Sequence, residues 1–211
     1  MPIQIIDMSN YPRRDHFNYF RSLQYPYVGT TVEVNITPIL SYCKEHLQSF
    51  YLAFLHACAL AGDGVKELRQ RIRDDQIVEY DECPTSHVEI GEDGTYHYCT
   101  LHHHMGLEEY FRKAEEARVA SRGNGIQEDD VVESMYFISS LPWLHYTAMI
   151  QPVAGGNESN PRITWGKYEN GFMPVSILAH HALVDGIHIA QFYENLNREI
   201  ERFGQIVGRE N

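Results

Sequence analysis

The sequence predicts an α+β fold: one domain over residues 1–211, with helices packed on a mixed, largely antiparallel sheet. Two patterns predict it. Short strand-like runs are separated by hairpin turns, and amphipathic helical runs fall between them without a repeating strand–helix unit. No internal repeat or linker divides the chain. With 43% hydrophobic and 22% charged residues, its 211 residues have the profile of ordinary globular protein. A chain of this length buries roughly 70% of its unfolded surface, so it needs no metal or disulfide staple.

Residues 28–36, VGTTVEVNI, put Val28, Thr30, Val32, Val34 and Ile36 on alternate positions, a strand pattern. Thr37-Pro38 then signals a helix start, because proline suits the first helical position. Helical text runs to residue 63 with a break near His46–Ser49, and a further helix is expected over VKELRQRIR at 65–73. Strands follow at 76–80, 86–91 and 95–101, the last two joined by Asp93-Gly94, a strong hairpin dipeptide. A helix over 107–121 is ended by Arg122-Gly123-Asn124-Gly125. Strands recur at 134–139, 144–152, 162–168 and 172–179, with Glu169-Asn170-Gly171 turning between the last two. A C-terminal helix over 187–203 carries Ile189, Phe192, Tyr193, Leu196, Ile200 and Phe203 at helical spacing.

Charge narrows the function. Seventeen basic against 29 acidic residues give a net charge of −12, with no basic run, which argues against nucleic acid or an anionic membrane as partner. An anionic ligand must be met by a local cationic spot. Cys43, Cys58, Cys83 and Cys99 have no paired or metal-binding spacing and are expected as free buried thiols. MPIQIIDMSNYPRRD lacks the layout of a signal peptide, and FYLAFLHACALAG at 50–62 is too short to span a bilayer. A cytoplasmic location is expected.

The segment richest in chemistry is His180-His181-Ala-Leu-Val-Asp185-Gly186-Ile-His188, between an apolar strand and an amphipathic helix. Histidine is the natural general base near neutral pH, its unperturbed pKa being about 6.5. An HxxxD pattern alone is better explained by satisfied histidines at a strand end than by catalysis. This one is longer, and Asp-Gly is turn chemistry that can fold the carboxylate back toward the protein.

HHALVDGIH resembles the signature of the chloramphenicol acetyltransferases, and other segments resemble that family in its order. They are YPRRDHFNYFR at 11–21, KELRQRIRDDQIVEYD at 66–81, SSLPW at 139–143 and ITWGKY at 163–168. The resemblance spans nearly the whole chain. It implies a two-layer sandwich and an O-acetyltransferase that uses acetyl-coenzyme A as co-substrate and inactivates chloramphenicol. It also implies a homotrimer with active sites between subunits. Residue by residue, it implies that His181 deprotonates the acceptor hydroxyl and Ser139 donates to the oxyanion. Asp185 and Arg13 would form a buried ion pair holding the signature loop, and Thr164 would order a water near the intermediate. Lys167 and Tyr168 would line the coenzyme A site, and Phe20 and Leu178 the acceptor pocket. His180 reads as structural.

Some positions depart from the pattern. Val184 stands where signature members often carry cysteine, Leu178 where the pattern has glutamine, and Phe20 cannot donate a hydrogen bond. The His-rich run from Tyr96 to His104 is longer than the family's equivalent. These positions lie in or near regions shaping the acceptor pocket, which leaves open an acyltransferase acting on another hydroxyl or thiol. A non-catalytic ligand-binding relative is the other alternative. No metal is expected, since His102, His103 and His104 are adjacent and cannot all face one ion in extended chain.

Overall fold

The computed structural model describes residues 3–90, 94, 96–121, 132–156 and 158–210. After β1 (Ile3–Ile5) come α1 (Arg14–Arg21), β2 (Tyr27–Asn35), α2 (Thr37–Glu45) and α3 (Phe50–Asp63). A 3-10 turn (Lys66–Arg69) leads into β3 (Gln70–Arg73), β4 (Gln76–Tyr80), β5 (Thr85–Ile90) and β6 (Tyr96–Leu101). The chain continues with α4 (Leu107–Ser121), β7 (Tyr136–Leu141), β8 (Arg162–Gly166), β9 (Phe172–His180) and α5 (Gly186–Glu210).

The main sheet has six strands in the order β2-β9-β8-β7-β5-β6. It is mixed: β7 pairs in parallel with both β5 and β8, and the other pairs are antiparallel. A smaller sheet, β1-β4-β3, sits beside it. Strand alternation divides the main sheet's faces. Val34, Ile163, Val175 and Ile177 join Leu52 and Phe54 of α3 and Phe192 and Leu196 of α5 in one core. The predicted stripe of α5 is buried from Ile189 to Phe203, and the helix runs seven residues beyond its predicted end. Ser49 occupies the predicted break between α2 and α3 and caps α3, its hydroxyl accepting from the Leu52 amide at 3.4 Å.

The turns follow their residues. Asn170 (φ 52°) and Gly171 (φ 85°) both lie in the left-handed region, and Glu169 and Phe172 exchange hydrogen bonds across them, a two-residue hairpin. β5 and β6 pair antiparallel as Asp93-Gly94 predicts; Asp93 itself, and the Arg122–Gly125 loop, lie outside the described residues. Gly29 is required where β2 meets β9, since a Cβ there would stand 2.3 Å from the Ile177 carbonyl oxygen.

Two predicted elements are overturned. The helix over 65–73 is a 3-10 turn followed by β3, because the Arg71 side chain is fully buried and its guanidinium is held by carbonyls. It donates to the carbonyls of Glu133, Leu68, Gln70, Ser134 and Met135, tying β3 to the approach to β7. That tertiary pull outweighs a weak helical preference. The strand over 144–152 does not form; those residues are irregular. Both edges of β8 are taken, by β7 and β9, so the segment lies across the sheet instead. Tyr146 donates to the Thr164 carbonyl at 2.8 Å and Gln151 accepts from the Thr164 hydroxyl at 3.1 Å. β1 and α1 were not legible as elements. Among the described residues, no helix is long and apolar enough to cross a membrane, and all four cysteines are free and buried.

Candidate active site

The signature begins at the end of β9. His180 is the last strand residue and is buried, and both its ring nitrogens are used. Nε2 lies 2.9 Å from the Gly156 carbonyl, to which it donates, and Nδ1 accepts from the Ala182 amide at 3.2 Å. Burial holds its pKa below the ordinary histidine value, the Gly156 bond opposing in part and the charges of Arg21 and His181 adding to the depression. His180 is therefore a neutral structural histidine.

His181 is different. Its Nδ1 lies 3.0 Å from the Val184 carbonyl oxygen and 3.3 Å from Asp185 Oδ1, two acceptors that require the proton on Nδ1. That tautomer leaves the lone pair on Nε2. The ring of Phe20, from α1, stacks on the imidazole with centroids 3.7 Å apart and planes 19° from parallel. The backbone is pinned as well, since the His181 amide donates to the Pro26 carbonyl at 2.8 Å.

The loop after His181 is held by Asp185 and Arg13. Their carboxylate and guanidinium approach to 2.7 Å, and Arg13 also donates to the Leu183 carbonyl. The Asp185 carbonyl accepts the first amides of α5, from His188 and Ile189, and its own amide donates to His188 Nδ1 at 2.9 Å. The pair is less buried in the single chain than expected: the side chains are 20% and 36% exposed.

Ser139 and Thr164 form a second station. They are register partners on β7 and β8, and both line a cavity of about 460 Å³ together with Phe137, Gln151, Met149 and Arg162. The Ser139 side is exposed to the cavity, whereas Thr164 is buried and donates to Gln151. Gln151 was missed from sequence, since its role depends on the non-strand path of 144–152. Arg162 was missed too: its guanidinium pairs with Glu158 and lies 4.8 Å from the Phe137 ring centre.

The remaining predicted site residues are scattered. Leu178 is half-buried on β9 opposite Gly29 and Arg162. Lys167 and Tyr168 stand exposed beyond the end of β8, Lys167 Nζ being 3.1 Å from Glu169 Oε1.

One chain does not bring the two stations together. Ser139 faces Thr164, which faces Ser176, five residues before His181. Two strand spacings of about 4.8 Å and five residues of about 3.4 Å put Ser139 and His181 on the order of 20 Å apart.

Residues 1–197 match the sequence profile described as chloramphenicol acetyltransferase. The chain belongs to the chloramphenicol acetyltransferase family. A curated relative, the chloramphenicol acetyltransferase of Proteus mirabilis, is 26% identical over 93% of this chain and 94% of its own length. A solved chloramphenicol acetyltransferase superposes with a TM-score of 0.86 at 27% identity, over 94% of this chain and all of its own. A probable dihydrolipoamide acetyltransferase from Listeria monocytogenes shares the fold, with a TM-score of 0.66 at 14% identity over 96% of this chain and 94% of its own. The protein is thus an acyltransferase with the mixed α+β fold of this family.

Proposed function

We propose that the protein transfers the acetyl group of acetyl-coenzyme A to a hydroxyl of chloramphenicol, in the cytoplasm, as a single catalytic domain in a homotrimer. His181 Nε2 takes the proton of the acceptor hydroxyl as its oxygen bonds to the thioester carbonyl carbon. The Ser139 hydroxyl donates to the oxyanion, with Thr164 and Gln151 behind it holding polar order in the cavity wall. Collapse breaks the carbon–sulfur bond, and the proton held on His181 passes to the departing thiolate. The products are the O-acetyl ester and free coenzyme A. Lys167 and Tyr168 would meet the coenzyme, and Phe20 and Leu178 the acceptor. Conversion of chloramphenicol to its ester is the chemistry of resistance.

The single observation that carries this reading is the fixed tautomer of His181. A histidine with Nδ1–H tied to a main-chain carbonyl and its ring stacked on an aromatic holds Nε2 in one orientation, as a general base requires. His180 has no such nitrogen to offer.

The trimer is supported by the separation of Ser139 from His181 and by uncovered apolar groups. Trp143, Leu144 and Ile150, in the segment crossing the Ser139 face, are 73%, 57% and 90% exposed. A second copy seated there would cover them and bring its own His181 to the cavity, in a head-to-tail contact that closes as a ring.

The test is direct. Purified protein is mixed with acetyl-coenzyme A and chloramphenicol, and free thiol is followed. Thiol release above the hydrolysis background, dependent on chloramphenicol, supports the reading. A second reading, transfer to a different hydroxyl or thiol, is favoured by the polar Arg162–Glu158 pair at the cavity wall and by Leu178 in place of glutamine. Absence of chloramphenicol-dependent release from protein that still binds coenzyme A selects it.

A further inference from the structure

The His-rich run ends in an arrangement that acyl transfer does not use. His102 turns to Glu82, its Nδ1 lying 2.7 Å from Oε1. His103 and His104 do not follow it. The chain bends just after β6, where the Met105 amide donates to the His103 carbonyl at 2.8 Å. The bend cancels the strand alternation that would send neighbouring side chains to opposite sides. Both imidazoles therefore lie on one side, with ring centres 4.7 Å apart.

They converge on Asp63, the last residue of α3, forty residues earlier. His103 Nε2 and His104 Nε2 each lie 2.8 Å from the same carboxylate oxygen, Oδ2. The other oxygen is already committed: Oδ1 accepts from the Tyr136 hydroxyl at 2.9 Å and from the Cys83 amide at 3.2 Å. These two donors, from the start of β7 and the approach to β5, fix the carboxylate and aim Oδ2 at the imidazoles. Outer hydrogen bonds of this sort are what orient a metal-binding carboxylate. The Asp63 and His103 side chains are 5% and 1% exposed and His104 is 46% exposed, so solvent reaches the cluster from one side only.

The geometry points to a divalent transition-metal site, of the zinc type, formed by Asp63, His103 and His104 with a fourth position open to water. The three ligand atoms lie within 4.8 Å of one another. A four-coordinate zinc with bonds of about 2.0–2.2 Å holds its ligand atoms roughly 3.3 Å apart, so the two 2.8 Å contacts need to open by about half an ångström. Small side-chain rotations supply that. Two imidazoles and one carboxylate suit zinc, cobalt or nickel and do not suit calcium or magnesium, which prefer all-oxygen shells. The site lies on the helix side of the main sheet, away from the Ser139 cavity, because the Tyr136 side chain of β7 is buried and reaches Asp63 while Phe137 and Ser139 line the cavity. A bound ion ties the end of α3 to the β6–α4 connection and, through Tyr136 and Cys83, to β5 and β7. Its consequence is stability rather than catalysis.

The experiment uses the full chain stripped with chelator and dialysed. Zinc chloride is titrated by calorimetry, with calcium and magnesium as controls, and the melting temperature is followed across the same series. One zinc per chain is expected, with Tm raised by about 5–10 °C once zinc exceeds Kd a hundredfold. His104→Ala removes a half-exposed side chain, so the metal-free variant should melt near wild type while its zinc affinity falls at least about tenfold. His102→Ala should bind zinc as wild type does. Failure of wild type to bind zinc saturably overturns the site and leaves a hydrogen-bonded His–Asp–His trio. Binding that His104→Ala leaves intact, or that His102→Ala abolishes, also overturns it.

Discussion

The two proposed catalytic stations are built in opposite ways. Around His181 nearly everything is committed: Nδ1 to Val184 and Asp185, the amide to Pro26, and the ring face to Phe20. Around Ser139 the sheet supplies a register partner, Thr164, and a cavity in which no histidine or carboxylate stands among the described lining residues. The proposed base is locked by neighbours within its own chain. The proposed oxyanion donor sits on a strand and faces the cavity. On the proposed mechanism one chain prepares two half-sites, and assembly would join them.

The largest effects should come from removing either half. His181→Ala should lower kcat by ~10²–10⁴-fold from loss of the base alone, with further loss from positioning. Ser139→Ala should lower it by ~10²–10³-fold. Both variants should melt near wild type. His180→Ala should show the converse, a lower Tm with a smaller effect on kcat, because its nitrogens hold the Gly156 and Ala182 backbone. Steady-state rates and melting curves on the three proteins separate a reacting group from a supporting one, and a reversed order between the two histidines would sink the assignment.

Arg13 and Asp185 should matter less. With side chains 20% and 36% exposed, breaking their pair should cost on the order of 1 kcal/mol rather than the several expected of a fully buried pair. Arg13→Ala should therefore lower Tm modestly and slow turnover by loosening the loop that carries Val184. Unchanged Tm and rate together would show that the signature loop holds its shape without the pair.

The smallest effect is on pH dependence. Burial, chiefly, depresses the His180 pKa in the fold, so below about pH 6.5 the unfolded chain takes up a proton that the fold resists. The stability associated with neutral His180 is complete above pH 6.5 and declines as pH falls from there toward the folded value. Denaturant unfolding at pH 7.5 and at pH 5.5 should show a loss in wild type that is reduced in His180→Asn. An equal loss in both would place the acid sensitivity elsewhere.

Much of this was legible in the sequence, and what was not shares one cause. The Asn170-Gly171 hairpin, the α2–α3 break at Ser49 and the α5 stripe are local signals, set by φ preference, capping and periodicity. The helix expected at 65–73 failed because Arg71 finds three of its five carbonyl partners on a segment 62 to 64 residues away. The strand expected at 144–152 failed because both edges of β8 were taken by other strands. At the candidate site, the motif drew attention to His181, Ser139 and Thr164. Gln151 and Arg162 carried no motif, and the convergence of His103 and His104 on Asp63 depends on a bend that spacing does not announce.

Complementation tests whether each active site takes His181 from one copy and Ser139 from another, as proposed. His181→Ala and Ser139→Ala chains, each inactive alone, are unfolded together, refolded as a mixture, and assayed with acetyl-coenzyme A and chloramphenicol after light scattering confirms assembly. With random mixing in a closed ring, about a quarter of the interfaces pair an intact His181 with an intact Ser139, so activity should return to about a quarter of the wild-type level. A mixture that assembles to the same mass and stays as inactive as its two components would contradict the account, because it would place both residues of each site in one chain.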